Sequence, residues 1–231
     1  MQRKLFIRKK TIKKKPLKKD SPLIFGPYEI PQGSLVGISG PVGSGKTSAA
    51  LTLAWQHQQN GKKVVMFDPE TAVNIERFRL NPSQIDIYNL HNSTQTVQAL
   101  DMVIEQDDAD LIILDSIQTI SIDDEDYNGM TMAVLSRFMT RLIQRILPKL
   151  KAFNKTCIIT STEMRGLNPY GPNSNPPYTN SYTNMLSMKF RTHAEDSNHL
   201  QITCSKNRYS EMREPFILDL SQFRHVPQRV D

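Results

Sequence analysis

The chain has 231 residues, of which 38% are hydrophobic, and this fits one α/β domain with a sizeable core. No apolar run approaches the roughly 18 residues that a membrane-spanning helix needs, and no apolar signal core opens the chain, so membrane binding and secretion are not expected. The two cysteines, Cys157 and Cys204, lie in strand-like runs and are predicted to be buried thiols in a reducing cytoplasm. An origin in a phage or mobile element is left open.

The net charge of +6 is distributed unevenly. Residues 1–19 contain ten lysines and arginines and no acid, whereas residues 20–231 contain 19 basic and 23 acidic residues, a net charge of −4. Such a segment is typical of polyanion binders, so we predict a basic arm at residues 1–23 and a folded core at residues 24–231. The DNA-binding candidates in the arm are Arg3, Lys4, Arg8, Lys9, Lys10, Lys13, Lys14 and Lys15. The alternatives are a solubilising tail, or a strand at residues 5–7 that docks on a neighbouring subunit.

Apolar runs that alternate with helical patterns predict a parallel sheet flanked by helices. Strands are predicted at residues 34–39, 63–68, 85–88, 111–115 and 156–162. Helices are predicted at residues 48–60, with Gly61 as the stop, and at residues 135–150, where Pro148 should bend the helix. Later runs at residues 186–192, 200–205 and 215–220 predict strands that are antiparallel or mixed.

Residues 40–47 match the pattern G-x-x-x-x-G-K-T between a strand and a helix, which is the phosphate-binding P-loop. Its glycines let backbone N–H groups surround a β-phosphate, and the helix N-terminus adds a favourable field. Lys46 is predicted to bridge the β- and γ-phosphates, while Thr47 and, through water, Asp115 are predicted to hold Mg²⁺. The predicted nucleotide-binding residues here are Gly40, Pro41, Val42, Gly43, Ser44, Gly45, Lys46, Thr47 and Ser48.

The strand after the P-loop helix ends in a segment with two carboxylates, Asp68 and Glu70. A carboxylate just beyond this strand would reach a water molecule in line with the γ-phosphate and act as general base. Glu70 is the predicted base, because Asp68 is nearer the strand and suits loop capping. The guanine-reading motif N-K-x-D is absent, so ATP is the expected nucleotide.

Residues 24–220 resemble the RecA-like recombination ATPases. The resemblance rests on the lead-in Pro31-Gln32-Gly33-Ser34, the P-loop, Asp68-Pro69-Glu70 and Leu114-Asp115-Ser116. The stretches Asp115-Ser116-Ile117-Gln118-Thr119-Ile120 and Lys206-Asn207-Arg208-Tyr209 are most similar to the RadA/Sms branch, although that branch's zinc module and protease-like domain have no counterpart in this sequence.

The resemblance implies a RecA-like P-loop fold, with a twisted, mostly parallel sheet flanked by helices and antiparallel strands toward the C-terminus. It implies that Glu70 is catalytic and that Lys206 and Arg208 reach the γ-phosphate of a neighbouring subunit, where a cation stabilises transition-state charge. The segment after Glu70 would border the adenine, with Asn74 hydrogen-bonded to the base and Arg77 stacked on it.

The loops of RecA-like proteins that face DNA differ in character here. The first would begin near Ser121 and is acidic at residues 123–126, and Glu163 stands where a glutamine senses the γ-phosphate. The second follows Arg165, and its tyrosines could stack on bases of single-stranded DNA. The DNA-binding candidates in this loop are Arg165, Tyr170, Tyr178 and Tyr182.

Three functions remain open from the sequence. The first is a DNA-stimulated ATPase that uses ATP and Mg²⁺ and assembles on single-stranded DNA in recombination, repair or replication, with other proteins of those processes as partners. The second is a ring-forming helicase or branch-migration motor, since ring and filament cannot be separated from these motifs. The third is an ATP-gated scaffold or regulator with slow hydrolysis, which Glu163 and the acidic loop favour.

Overall fold

The computed structural model describes residues 22–90, 92–119, 132–163 and 183–224. Four groups of predicted residues lie outside this part of the chain: the basic arm to residue 21, the acidic loop, Arg165, and the three loop tyrosines. None of the described helices has the length and hydropathy to cross a membrane.

The elements follow one another as alternating strands and helices. A hairpin of β1 (Leu23–Phe25) and β2 (Tyr28–Ile30) leads into β3 (Leu35–Gly40), α1 (Lys46–Gln59), β4 (Val64–Phe67) and β5 (Ile85–Tyr88). Next come α2 (Ser93–Gln106), β6 (Leu111–Leu114), α3 (Met132–Phe153) and β7 (Thr156–Thr162). The last described strands are β8 (Met188–Ala194), β9 (His199–Asn207) and β10 (Phe216–Asp219). Short 3-10 helices lie at Ile75–Arg77, Pro82–Gln84 and Ile117–Thr119.

Eight of these strands form one sheet in the order β10-β9-β8-β3-β7-β6-β4-β5. Neighbouring strands from β8 to β5 are parallel, whereas β9 is antiparallel to both β8 and β10. The predicted fold, a mostly parallel sheet with antiparallel strands toward the C-terminus, is therefore confirmed. After β3 the chain passes over β7 and β6 to reach β4, so the carboxyl end of β3 opens into the crevice where such sheets bind ligands.

The central strands β3, β7, β6 and β4 are buried on both faces. Val36 and Ile38 of β3 belong to the core cluster that contains α1 and the β1–β2 hairpin, whereas Leu35 belongs to the cluster formed with α2 and α3. Burial on both faces explains why the central strands read as continuous apolar runs in the sequence. Both cysteines are buried thiols, and burial raises the pKa of Cys157 to about 12.

Candidate nucleotide-binding site

The P-loop joins the carboxyl end of β3 to the first residue of α1. Gly43 and Gly45 have φ angles of 76° and 83°, in the left-handed region that glycine adopts without strain. No side chain caps the N-terminus of α1, and its first turn contains no acid. The first backbone N–H that follows α-helical pairing is that of Ala49, which donates to Gly45 O at 2.9 Å. The preceding amides of α1 therefore offer an anion site at the positive end of the helix.

Lys46 is held within the P-loop. Its Nζ donates to the carbonyl oxygen of Pro41 at 2.9 Å. Burial lowers the pKa of Lys46, and the negative charges of Asp115, Glu70 and Glu163 offset part of that effect. The predicted phosphate-binding cation thus lies within electrostatic range of three carboxylates, from three different strand ends.

Asp115 and Thr47, the predicted magnesium ligands, are brought together. Asp115 is 7% exposed, and burial raises the pKa of its carboxyl, against hydrogen bonds from the hydroxyls of Thr160 and Thr47 that lower it. The peptide bond between Asp115 and Ser116 is cis. A carboxylate and a hydroxyl side by side at a phosphate loop are the hard oxygen donors that Mg²⁺ prefers, so these residues fit the ion.

The two carboxylates after β4 occupy different environments. Asp68 is 3% exposed, and its Oδ2 accepts a hydrogen bond from Val73 N at 2.9 Å, so it shapes the loop. Glu70 is exposed, and its Oε1 accepts a hydrogen bond from Ser116 Oγ at 3.2 Å. The backbone turns at Thr71, directly after Glu70, where the φ angle is 53°. Of the two carboxylates, Glu70 is the one that is open to solvent and hydrogen-bonded to the residue after Asp115.

Glu163 lies at the end of β7 beside the start of the P-loop. Its backbone N–H donates to Gly40 O at 2.9 Å, and its Oε1 accepts from Ser39 Oγ at 3.1 Å. Its Oε2 pairs with Arg191 Nη2 of β8 at 2.8 Å. The charge that distinguishes this residue from a glutamine is therefore matched by Arg191, which the sequence did not single out.

A cavity of about 600 Å³ opens beside the first turn of α1. The predicted base-contacting residues Asn74 and Arg77 both line it. Asn74 Oδ1 accepts from Glu76 N at 3.0 Å and so caps the 3-10 helix, which leaves its amide nitrogen for a base contact. Seven further lining residues were missed by sequence reasoning because no motif marks them: Leu51, Ala72, Val73, Phe78, Asn198, Ser221 and Arg224.

Lys206 and Arg208 are directed elsewhere. Lys206 Nζ donates to the carbonyl oxygens of Thr183 and Asn184 at 2.8 and 2.9 Å, and Arg208 donates to the same Asn184 oxygen. Burial lowers the pKa of Lys206, and the charges of Arg208 and Lys189 lower it further. Neither side chain lines the cavities beside the P-loop. The structure therefore does not bring this pair to the site of its own chain.

Comparison with known proteins gives a consistent picture. The model of the RecA N-terminal domain matches residues 10–167. The protein RecA of Mannheimia haemolytica is 27% identical over 136 residues, which are 56% of this chain and 36% of the relative. The protein RecA of Colwellia psychrerythraea is 26% identical over 149 residues, 62% of this chain and 43% of the relative. This chain thus spans less than half the length of these relatives.

Proposed function

Because this chain belongs to the RecA N-terminal domain family, we propose that it is a DNA-dependent ATPase of recombination, repair or replication. One observation carries the ATPase part. An uncapped helix N-terminus, Lys46 and the hydrogen-bonded pair of Thr47 and Asp115 meet at the switch point of a parallel sheet. This combination suits a nucleoside triphosphate with a divalent cation better than any other ligand class.

The residues divide the chemistry among them. The α1 amides and Lys46 bind the phosphates, and Thr47 and Asp115 hold Mg²⁺, which offsets charge on the β- and γ-phosphates when it is bound. Glu70 orients the attacking water and accepts its proton. Support for Glu70 comes from its exposure, from its hydrogen bond to Ser116 beside Asp115, and from the different role of Asp68 in the loop.

Assembly completes the site in this proposal. Lys206 and Arg208 donate to backbone carbonyls of residues 183–184 and do not line the cavities beside the P-loop of their own chain, which is compatible with action on a neighbour's γ-phosphate. A cation supplied in trans would couple hydrolysis to assembly on single-stranded DNA, whether as a filament or as a ring. The net-negative remainder of the chain favours the basic arm as the main phosphate contact. The closer likeness to the RadA/Sms branch, the cytoplasmic location and the roles of Arg165 and the loop tyrosines stay predictions.

The ion pair between Glu163 and Arg191 keeps a regulator with slow turnover as the second candidate. A salt-bridged carboxylate beside Gly40 replaces the neutral sensor that the resemblance implies, and it would weaken the response to a γ-phosphate. A helicase or branch-migration motor is the third candidate, and DNA unwinding separates it from the first.

The test is ATP hydrolysis by the full chain with and without single-stranded DNA, compared with Lys46→Ala. We expect the DNA to raise turnover severalfold and Lys46→Ala to abolish it, because the phosphates lose the P-loop cation. An ATP hydrolysis rate that does not change on addition of single-stranded DNA would favour the regulator. An unchanged hydrolysis rate in Lys46→Ala would refute the ATPase assignment. Circular dichroism on both proteins shows that the variant is folded.

A further inference from the structure

Two cavities adjoin the first turn of α1, and both are lined by Thr47, Ser48 and Arg224. The larger one, about 600 Å³, extends along residues 72–78. The smaller one, about 460 Å³, lies against the P-loop and the turn after β8 that contains Ser197. Arg224 therefore stands where a ligand held by the P-loop would pass into the larger cavity.

The guanidinium of Arg224 is held in place by three groups. Its Nη2 donates to Ser48 Oγ at 3.2 Å, its Nη1 donates to Ser197 O, and its Cζ lies 5.7 Å from the ring centre of Phe78. Among the described residues it forms no ion pair with an acid. Burial lowers its pKa, and the charge of Arg77 lowers it further. A partly buried arginine that lies beside a second arginine and has no acidic partner favours the binding of an anion.

The position of Ser48 identifies the anion. Ser48 is the third residue of α1, and its N–H precedes the first helical hydrogen bond, donated by Ala49. The P-loop amides and the following helix start cradle α- and β-phosphates. Because Arg224 donates to Ser48 Oγ, an α-phosphate bound at the start of this helix would lie within hydrogen-bonding reach of the same guanidinium. The five N–H groups of the guanidinium form a fixed fork that suits a pair of phosphate oxygens.

We propose that Arg224 is a nucleotide-binding residue that contacts the α-phosphate, with the base in the cavity along residues 72–78. This inference rests on the proposed ATP site. It gives ATP and ADP the same contact, because both carry an α-phosphate, so Arg224 sets affinity for adenine nucleotides and not the response to the γ-phosphate.

The contact would also connect the bound nucleotide to the segment after β10, residues 221–224. Phe223 packs edge-on against Trp55 of α1, with ring centres 5.0 Å apart, and its carbonyl accepts from Arg79 N at 2.8 Å. Residues 78 and 224 form an isolated antiparallel bridge. A bound nucleotide therefore adds one more tie between α1, the loop after β4 and residues 221–224.

The experiment measures the dissociation constants of ADP, ATP and adenosine for the full chain and for Arg224→Gln. ADP and ATP should both bind about tenfold to a hundredfold more weakly to the variant, the range for a lost hydrogen bond to a charged group. Adenosine, which lacks phosphate, should bind within about twofold of its wild-type affinity. Arg79→Gln is the matched control, since Arg79 is exposed and lines neither cavity, and it should leave all three affinities unchanged.

Unchanged ADP affinity in Arg224→Gln would overturn the inference while leaving the ATP site intact. A loss for adenosine as large as the loss for ADP would also overturn it, because Arg224 would then only shape the base cavity. Failure of the wild-type chain to bind any adenine nucleotide would instead refute the proposed function. If Arg224→Gln does not fold, Arg224→Lys keeps the charge and loses the fork, and it should bind ADP with reduced affinity at an unchanged adenosine affinity.

Discussion

Gly40→Ala should disrupt the P-loop, because the added methyl group would overlap atoms of β8 and of the loop itself. An added Cβ would lie 2.7 Å from the carbonyl oxygen and from Oγ1 of Thr192, and it would overlap Ser44 Oγ. Thr192 Oγ1 and Ser44 Oγ are hydrogen-bonded at 2.9 Å, so the overlap falls on the contact that fixes the P-loop to β8. Restoring van der Waals separation requires a shift of about half an ångström from Thr192 and nearly one ångström from Ser44 Oγ, and overpacking of this kind costs about 1–3 kcal/mol of unfolding free energy.

A shift of that size also moves the loop amides off hydrogen-bonding distance from a phosphate. ADP affinity should therefore fall by about tenfold or more, together with a lower melting temperature. Gly61→Ala is the control, because Gly61 has a φ of 70° and open space around it at the far end of α1. It should cost about 1–2 kcal/mol of backbone strain and leave ADP affinity unchanged. Titration calorimetry and chemical denaturation measure both effects, and wild-type ADP affinity in Gly40→Ala would refute the reasoning.

Three other predictions concern catalysis, stability and DNA binding. Glu70→Gln should keep ATP affinity and lose turnover by about a hundredfold, the scale of a lost general base, and single-turnover hydrolysis that is unaffected would place the base elsewhere. Although burial alone raises the pKa of Asp101, hydrogen bonds from Arg145 and Lys149 hold it below its ordinary value of 3.8. Denaturation of Asp101→Asn should therefore show a loss of about 1–2 kcal/mol above that pH, which shrinks as the pH falls through the lowered pKa; a loss that stays constant with pH would contradict this. Deleting residues 1–19 should flatten a salt slope of about −3.5 for single-stranded DNA, estimated for five phosphate contacts, and an unaltered slope would remove the arm from DNA binding.

The sequence predicted the bounds of the strands β3 to β7 most closely. β5 and β7 match their predicted bounds, and the predictions for β3, β4 and β6 were within a residue at each end. Except for the edge strand β5, these strands are buried along nearly their whole length, which gives continuous apolar runs in the sequence. The β1–β2 hairpin was missed because strands of three residues carry almost no periodic signal. α2 was missed as well: only five of its 14 residues are buried, and its start depends on a cap in which Asn92 accepts from Gln95 N.

Pro148 lies inside α3 and does not end it. Proline removes one helical hydrogen bond and crowds the preceding turn, and we expected a bend near residue 148. In the structure α3 continues through Pro148 to Phe153, and the bend stays a prediction. Ile146 and Leu150 on either side of it are fully buried against the sheet, and this packing holds the last turns in place.

The candidate site divides in the same way between local and distant parts. The P-loop, Asp115 and Glu70 were recognisable as candidate site residues because each lies in one short segment with its own sequence motif. Arg191 and Arg224 were not, since each gains its meaning from a partner far along the chain, Glu163 in one case and Ser48 in the other. A distance of 176 residues between Ser48 and Arg224 leaves no spacing rule that could have joined them.

The electrostatics of the site agree with the proposed nucleotide ligand. Burial raises the pKa of Asp115 and lowers that of Lys46, so the fold disfavours the charged form of both groups. Each would be relieved by a ligand of opposite charge, the carboxylate by a divalent cation and the ammonium by phosphate. Arg224, which donates to Ser48 Oγ and forms no ion pair with an acid in the described part of the chain, would likewise be stabilised by an anion. A carboxylate, an ammonium and a guanidinium at one helix start, where the helix itself attracts anions, would be stabilised together by a ligand that carries both phosphates and a metal ion.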